Sequence, residues 1–355
     1  MKTLKFKLSS LFILGMCLSS FAIQDTSKEI HREVNVNSDV LVKINNQFGD
    51  VKISSWEENK VVIDVVISVE GSNQKRINEK LDQIDVDFSL SPERVSAETL
   101  IDEDWGFKWF KGSKLHFQID YTVKLPRSSS VDLENDYGAI LLNELVGRAK
   151  ISCDFGKLVL GDLHHEDNLI SFDYTKNSTI DFMKGGEIRA DFSDFEVLEA
   201  GAISLVADYS NSRFNTLEKL KFRNDYGKLN VDKINELNGV GDFLTLRVET
   251  LFQKLDLNQN FGSIRIAHIN PSATTLSINS EYTGVHLGID TDWDFTYDIA
   301  IEFARLKTSF PLQHLIQRED HTNKKYKGYF NNENSTNRLH INSEFGVVKL
   351  NKTLF

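Results

Sequence analysis

The feature that most narrows what this chain can fold into is a short unit that keeps returning. "NDYGAILL" at residues 135–142 comes back as "CDFGKLVL" at 153–160 and "NDYGKLNV" at 224–231. With the aromatic residue as anchor, the copies fall at Tyr137, Phe155, Tyr174, Phe192, Tyr209, Tyr226, Phe243, Phe261, Tyr282, Phe303 and Phe345. Early spacings are about 17 to 19 residues; later ones stretch to about 21 and then about 42. Apolar residues precede the anchor by six and four positions and follow it by three and five, as in Ile151, Phe155, Leu158 and Leu160. Offsets of two mean strand, with alternate side chains facing a core. The phase slips by one just after the anchor, where Gly138, Gly156, Gly227, Gly262 and Gly346 read as a bend or bulge. Each unit is therefore two short strands with a corner between them.

Such a unit cannot bury its apolar face alone, whereas stacked units share one core. The expected fold is all-β: a parallel, right-handed β-solenoid of about ten short rungs, about 45 to 50 Å long at the spacing of neighbouring strands. The unit at Tyr174 fits least well. Residues 127–355 form the repeat domain, with residues 311–337 expected as a loop or hairpin excursion before the last rung. Residues 23–126 are read as a mixed N-terminal cap that seals the stack's open end. The cap holds one copy of the unit around Phe48, and one helix in "SNQKRINEKLDQI", capped by Ser72 with Ile77, Leu81 and Ile84 on one face.

The first 22 residues read as a signal peptide: a basic "MKTLKFK", an apolar "LFILGMCL" and small residues at Ser20 and Ala22. Met16 before Cys17 argues against acylation there. The apolar run is too short to span a bilayer, and no later run approaches about 20 residues, so no transmembrane segment is expected. The net charge is −11, and cleavage removes three lysines and no acid, leaving about −14. An acidic chain without a basic tract argues against nucleic acid and against anionic membrane surfaces. Cys153 is then the last cysteine, so no intrachain disulfide forms. Its apolar neighbours Ile151 and Phe155 mark a buried structural thiol.

The approach "IDYTVKLP" followed by serial "NDYGAIL"-type units resembles a family of exported bacterial β-strand-repeat proteins, described as putative adhesins or domains of unknown function and common in Gram-negative envelopes. The resemblance covers nearly the whole mature chain. It implies an envelope protein, periplasmic or at the outer surface, and brings no catalytic residue.

The residue before each anchor is Asp136, Asp154, Asp173, Asp191, Asp208, Asp225 and Asp242, then Asn260, Glu281, Glu302 and Glu344. With the anchors facing inward, these acids face outward in a file, partly offset by Lys157, Lys176 and Lys228. The file reads first as a series of Asx-type turns, each carboxylate bonding an N–H two residues on. It reads second as a column for cations such as Ca²⁺, and third as an electrostatic surface for a cationic partner. In "DEDWGFKWFKGSK", Trp105, Phe107 and Trp109 are candidate contacts to a protein or glycan, or else plug the base of the stack. His164 and His165, adjacent on a strand, read as part of a polar turn rather than a metal pair. Phosphate-loop, HExxH and GxSxG patterns are missing, and the minimal rungs provide no cleft for a carboxylate pair. No cofactor is expected. The expected function is a non-enzymatic adhesin or interaction scaffold, with a carbohydrate-binding or carbohydrate-active β-helix protein as the alternative.

Overall fold

A computed structural model describes residues 24–102 and 115–353. The N-terminal part runs β1 (Gln24–Asn35), β2 (Leu41–Gln47), β3 (Val51–Trp56), β4 (Lys60–Gly71), α1 (Gln74–Asp82), β5 (Ile84–Leu90), β6 (Arg94–Ile101) and β7 (His116–Pro126). Paired short strands follow: β8 (Ser130–Asp136), β9 (Ala139–Leu145), β10 (Ala149–Asp154), β11 (Lys157–Leu163) and β12 (Asn168–Asp173). Five longer, bent strands come next: β13 (Ser178–Asp191), β14 (Asp194–Asp208), β15 (Asn211–Asp225), β16 (Lys228–Asp242) and β17 (Thr245–Ile269). The chain ends with β18 (Thr275–Asp290), β19 (Phe295–Glu302), β20 (Arg305–Thr308), β21 (Gln313–Glu319), β22 (Asn323–Phe330), β23 (Arg338–Glu344) and β24 (Val347–Thr353). The fold is all-β, its 24 strands joined in one open sheet, with a single helix among the described residues.

The repeat sets the register. β8 pairs in parallel with β10, β10 with β12 and β12 with β13, always matching one unit's acid to the next: Asp136 to Asp154, Asp154 to Asp173, Asp173 to Asp191. The second strands pair likewise, β9 with β11 and β11 with β13. From β13 to β18 the match runs along whole units. Alternation along each strand puts residues such as Ile151, Leu158, Leu205, Leu229 and Val231 in one continuous core. Cys153 is part of it, and burial pushes its thiol up to about 12, so it is an inert core residue.

At the N-terminal end β2 pairs with β8 on one side and with β6 on the other, while β3 pairs with β9 and β7. β1, β4 and β7 form an antiparallel group beside them, and β5 pairs with β6. α1 starts one residue later than the sequence suggests. Asn73, not Ser72, is the cap, and its side chain accepts the Arg76 N–H at 3.2 Å. Ile77 and Leu81 are buried on the helix, but Ile84 lies beyond its end and opens β5.

At the C-terminal end the expected excursion is an antiparallel hairpin of β21 and β22. The order of the last units is a surprise. β23 pairs in parallel with β18 and also with β19, so the last segment of the chain lies between two segments that precede it. β22 then pairs antiparallel with the other side of β19. The hairpin between Phe303 and Phe345 accounts for their spacing of about 42 residues.

Candidate functional site: the aromatic ladder and its acidic flank

The anchors do not face inward. Twelve aromatic residues, Phe48 and the eleven anchors, have φ between 47° and 62°, the left-handed region. Up to two residues before the anchor the strand alternates as expected, with Asn135, Cys153 and Phe172 buried. The left-handed residue then turns the chain and throws its ring outward, so that Tyr137, Phe155 and Tyr209 are 54%, 51% and 53% exposed. The inward stack of rings expected from the sequence is instead a ladder along an outer corner. The rings stack nearly parallel in the order Phe48, Tyr137, Phe155, Tyr174, Phe192, Tyr209, Tyr226, Phe243, Phe261, Tyr282, Phe345, Phe303. Their centroids are 4.6 to 5.2 Å apart. Each ring's faces cover its neighbours and its edge meets solvent.

The glycines after the rings serve another purpose than the bend. A Cβ on Gly156 would lie 2.0 Å from the Gly138 carbonyl oxygen, and one on Gly227 would lie 2.2 Å from that of Ser210. Close stacking of the corners needs glycine, while the aromatic residue takes the left-handed turn. Where Ser replaces glycine, its hydroxyl enters the backbone network. Ser210 Oγ accepts the Ser193 N–H at 3.0 Å and donates to the Ala190 carbonyl at 2.9 Å. The poor fit at Tyr174 has a simple cause: Asn177, three residues on, is also left-handed and lengthens that corner by one residue.

Beside the ladder runs the acidic file. From Asp154 to Asp225 its carboxylates do not form Asx turns; each of these reaches the next unit. Asp154 Oδ1 accepts the Asp173 N–H at 3.3 Å, Asp173 that of Asp191 at 3.2 Å, and Asp191 that of Asp208 at 3.0 Å. Asp208 and Asp225 continue the series to Asp225 and Asp242, at 3.2 and 2.8 Å. Asn260 closes it by donating its amide to Asp242 at 3.0 Å. Meanwhile the backbone N–H of the ring-bearing residue donates to the next acid's carbonyl, as Tyr137 does to Asp154 at 3.0 Å. The side chain thus supplies an acceptor where the turning backbone cannot. The acids are mostly half-buried. Burial, with Asp154 and then Glu134 beside it, raises the Asp136 carboxyl above its usual range. For Asp173 burial again leads; the Asp191 N–H bond opposes it, and the charges of Asp154 and Asp191 add to it.

The lysines named with the file lie on the other flank. Lys157, Lys176 and Lys228 follow their rings by two positions and are exposed, across the ladder from the acids.

Sequence reading weighed His164, with Asp162 nearby, as a metal candidate and set it aside, but missed Glu144, which completes a cluster. Oxygen or nitrogen atoms of Glu144, Asp162 and His164 lie within 4.8 Å of one another. They are 18 and 20 positions from Glu144, one unit away, so only the register reveals them. His164 Nε2 is 3.0 Å from Glu144 Oε1, and Arg127 also pairs with Glu144. Arg127 first, with His164 after it, holds the Glu144 carboxyl below its usual range. With that guanidinium in place the group is an ion-pair network. His165 turns away, and its Nδ1 accepts the Asp167 N–H at 3.0 Å, as a polar turn requires.

A groove of about 720 Å³ opens where the β21–β22 hairpin overhangs the sheet, lined by Asn258, Asn279, Glu302, Asn342, Arg318 and Lys325 among others. Trp105, Phe107 and Trp109, like residues 1–22, lie outside the described residues. No helix among the described residues is long and apolar enough to cross a membrane.

No family model and no curated protein matches this chain. Several solved structures similar to it are described as putative adhesins and one as a putative lipid binding protein. One is a putative adhesin from Parabacteroides distasonis ATCC 8503, at 9% identity and TM-score 0.33 over 74% of this chain and 93% of that one. Another is a putative adhesin from Bacteroides fragilis NCTC 9343, at 11% identity and TM-score 0.26 over 92% and 97%. A third is a putative cell adhesion protein from Clostridium sporogenes ATCC 15579, at 12% identity and TM-score 0.21 over 92% and 100%. Common cores of that size leave the fold to be argued from the strand ladder itself.

Proposed function

We propose that this is a non-enzymatic, exported cell-envelope protein, an adhesin or interaction scaffold. Its parallel units coil as a β-solenoid (residues 127–355) behind an N-terminal cap (residues 23–126), after a signal peptide at 1–22. It works in the periplasm or at the outer surface of a Gram-negative cell and binds a protein or a cell-surface glycan. The observation that carries this reading is the ladder: a long, repetitive, half-exposed strip whose flanking carboxylates are spent on backbone N–H bonds. Carboxylates held in that way serve architecture and display, whereas a glycosidic mechanism needs two that converge on one bond. Binding to immobilised envelope proteins and to a glycan array tests it; hydrolysis or elimination in a reducing-sugar assay would overturn it.

The second reading is a carbohydrate-binding protein, favoured by the hairpin groove, whose amide and charged side chains are suited to sugar hydroxyls. In that reading Trp105, Phe107 and Trp109 add stacking surface, and glycan binding falls on Trp105→Ala or Trp109→Ala. The acidic column (Asp136, Asp154, Asp173, Asp191, Asp208, Asp225, Asp242) as a Ca²⁺ file remains a separate proposal. Because backbone N–H groups already occupy one oxygen of most of these carboxylates, the expected melting temperature is the same with Ca²⁺ and with a chelator. A rise of several degrees with Ca²⁺ would establish the cation file.

A further inference from the structure

We propose that the aromatic ladder is the seam of a parallel homodimer, in which two copies pack ladder on ladder about a two-fold axis running along the rings. The inference goes beyond the adhesin reading and does not depend on it.

The first argument is area. All of the ladder's rings beyond Phe48 are between 41% and 55% exposed, in one unbroken line. Half of the roughly 200 Å² of a large aromatic side chain, summed over these rings, gives about 1,000 Å² of apolar strip. A monomer's largest apolar patch is usually a few hundred Å². Two such strips in contact would bury up to about 2,000 Å² in total, within the range of stable interfaces.

The second argument is charge, and it selects the axis. An axis crossing the ladder would lay one acidic file on the other. An axis along the ladder lays each acid opposite the residue that follows the ring by two positions, at the same level of the partner. Asp154 then meets Lys157 of the partner subunit, Asp173 meets the partner's Lys176, Asp225 meets the partner's Lys228, and Glu302 meets the partner's Arg305. All four basic residues are exposed on that flank. One like-charged match, Asp191 with the partner's Asp194, opposes them; the remaining acids meet uncharged residues. With four opposite-charge levels against one like-charge level, the molecule is complementary to itself in the parallel arrangement and not in the other.

Sedimentation velocity of the purified protein from about 1 to about 100 µM tests the association, and a dimer is expected. Arg305→Glu alone, or Glu302→Arg alone, should weaken it at least about tenfold, since each reversal acts twice across the axis; the double swap should restore it. Unchanged circular dichroism and melting of the single variants show that they have folded. Oxidative dityrosine cross-linking reads the orientation on the unmodified chain. The parallel seam joins Tyr137, Tyr174 and Tyr282 each to the same residue of the partner subunit, whereas an antiparallel one sets Tyr137 against the far end of the ladder and joins it to Tyr282. A monomer at every concentration, cross-links that miss the ladder, a Tyr137–Tyr282 link, or indifference to the charge reversals would each overturn the proposal.

Discussion

At the scale of single residues, the unusual demand is a bulky side chain at positive φ. A left-handed non-glycine residue costs on the order of 1 kcal/mol, and the ladder repeats that cost at each of its twelve corners. Stacking repays it, at about 0.5–1.5 kcal/mol for each ring pair. Tyr209 touches Phe192 and Tyr226 at 5.0 and 4.9 Å, so Tyr209→Ala should lose both contacts and keep the strain. The expected cost is about 2–3 kcal/mol by chemical denaturation, against less than about 0.5 kcal/mol for Tyr209→Phe. Tyr209→Asn, which tolerates the left-handed turn, should fall between them. The interchange of Phe and Tyr at this position was the legible clue to exposure, because a buried Tyr needs a partner for its hydroxyl. The phase slip alone fits either an inward ring with a bulge or an outward ring on a left-handed turn, and the bulge was the wrong choice. The acids make a second test. Asp173 has a carboxyl raised in the fold, chiefly by burial. The folded state therefore binds its proton more tightly than the unfolded chain, and its ionisation costs stability at neutral pH. That cost disappears as pH falls through the folded value toward 3.8. Asp173→Asn keeps the oxygen that accepts the Asp191 N–H, so it should melt above the native protein near neutral pH and lose the advantage in acid. Asp173→Ala removes the acceptor and should cost about 0.5–1.5 kcal/mol.

At the scale of elements, strand positions were legible because apolar alternation is a local signal, and β8 to β16 fall where it places them. What a corner encloses was not. The buried positions two residues before the rings are apolar or small in some units and polar in others, and only contacts distinguish the polar ones. Asn135 accepts the Asn46 amide at 3.0 Å and donates to the Gly49 carbonyl at 2.9 Å. Asn224, equally buried in the matching place, has no hydrogen-bond partner for either side-chain atom among the described residues. An amide buried without partners costs about 1–3 kcal/mol, so the two should respond differently to truncation. Asn135→Ala is expected to lose about 1–3 kcal/mol more than Asn224→Ala, measured as a difference between matched urea titrations, which cancels much of the common cavity cost.

At the scale of the whole molecule, the repeat predicts serial order, and the chain obeys it from β8 to β18 and then breaks it. Nothing local in "RLHINSEFGVVKL" marks it for insertion one place earlier in the stack, since its apolar pattern matches either site. The insertion has a consequence for stability. β23 supplies parallel partners to both β18 and β19, and β24 does the same for β18 and β20. β19 in turn holds the hairpin through β22. Removing residues 338–355 would therefore strip backbone partners from two edges at once and leave β19 to β22 without a strand partner in the rest of the sheet, tethered through Trp293, which donates to the Ala273 carbonyl at 2.7 Å. Because contacts in a stacked array are between neighbours, the damage should stay local. Hydrogen exchange of the truncated protein should show β19, β21 and β22 amides exchanging freely while β14 to β16 keep native protection. The bared edge of β18 should also make the protein aggregate at concentrations where the full chain does not. If the hairpin strands kept their protection after truncation, β23 would not be what holds them, and the pairing order at this end of the molecule would have to be redrawn.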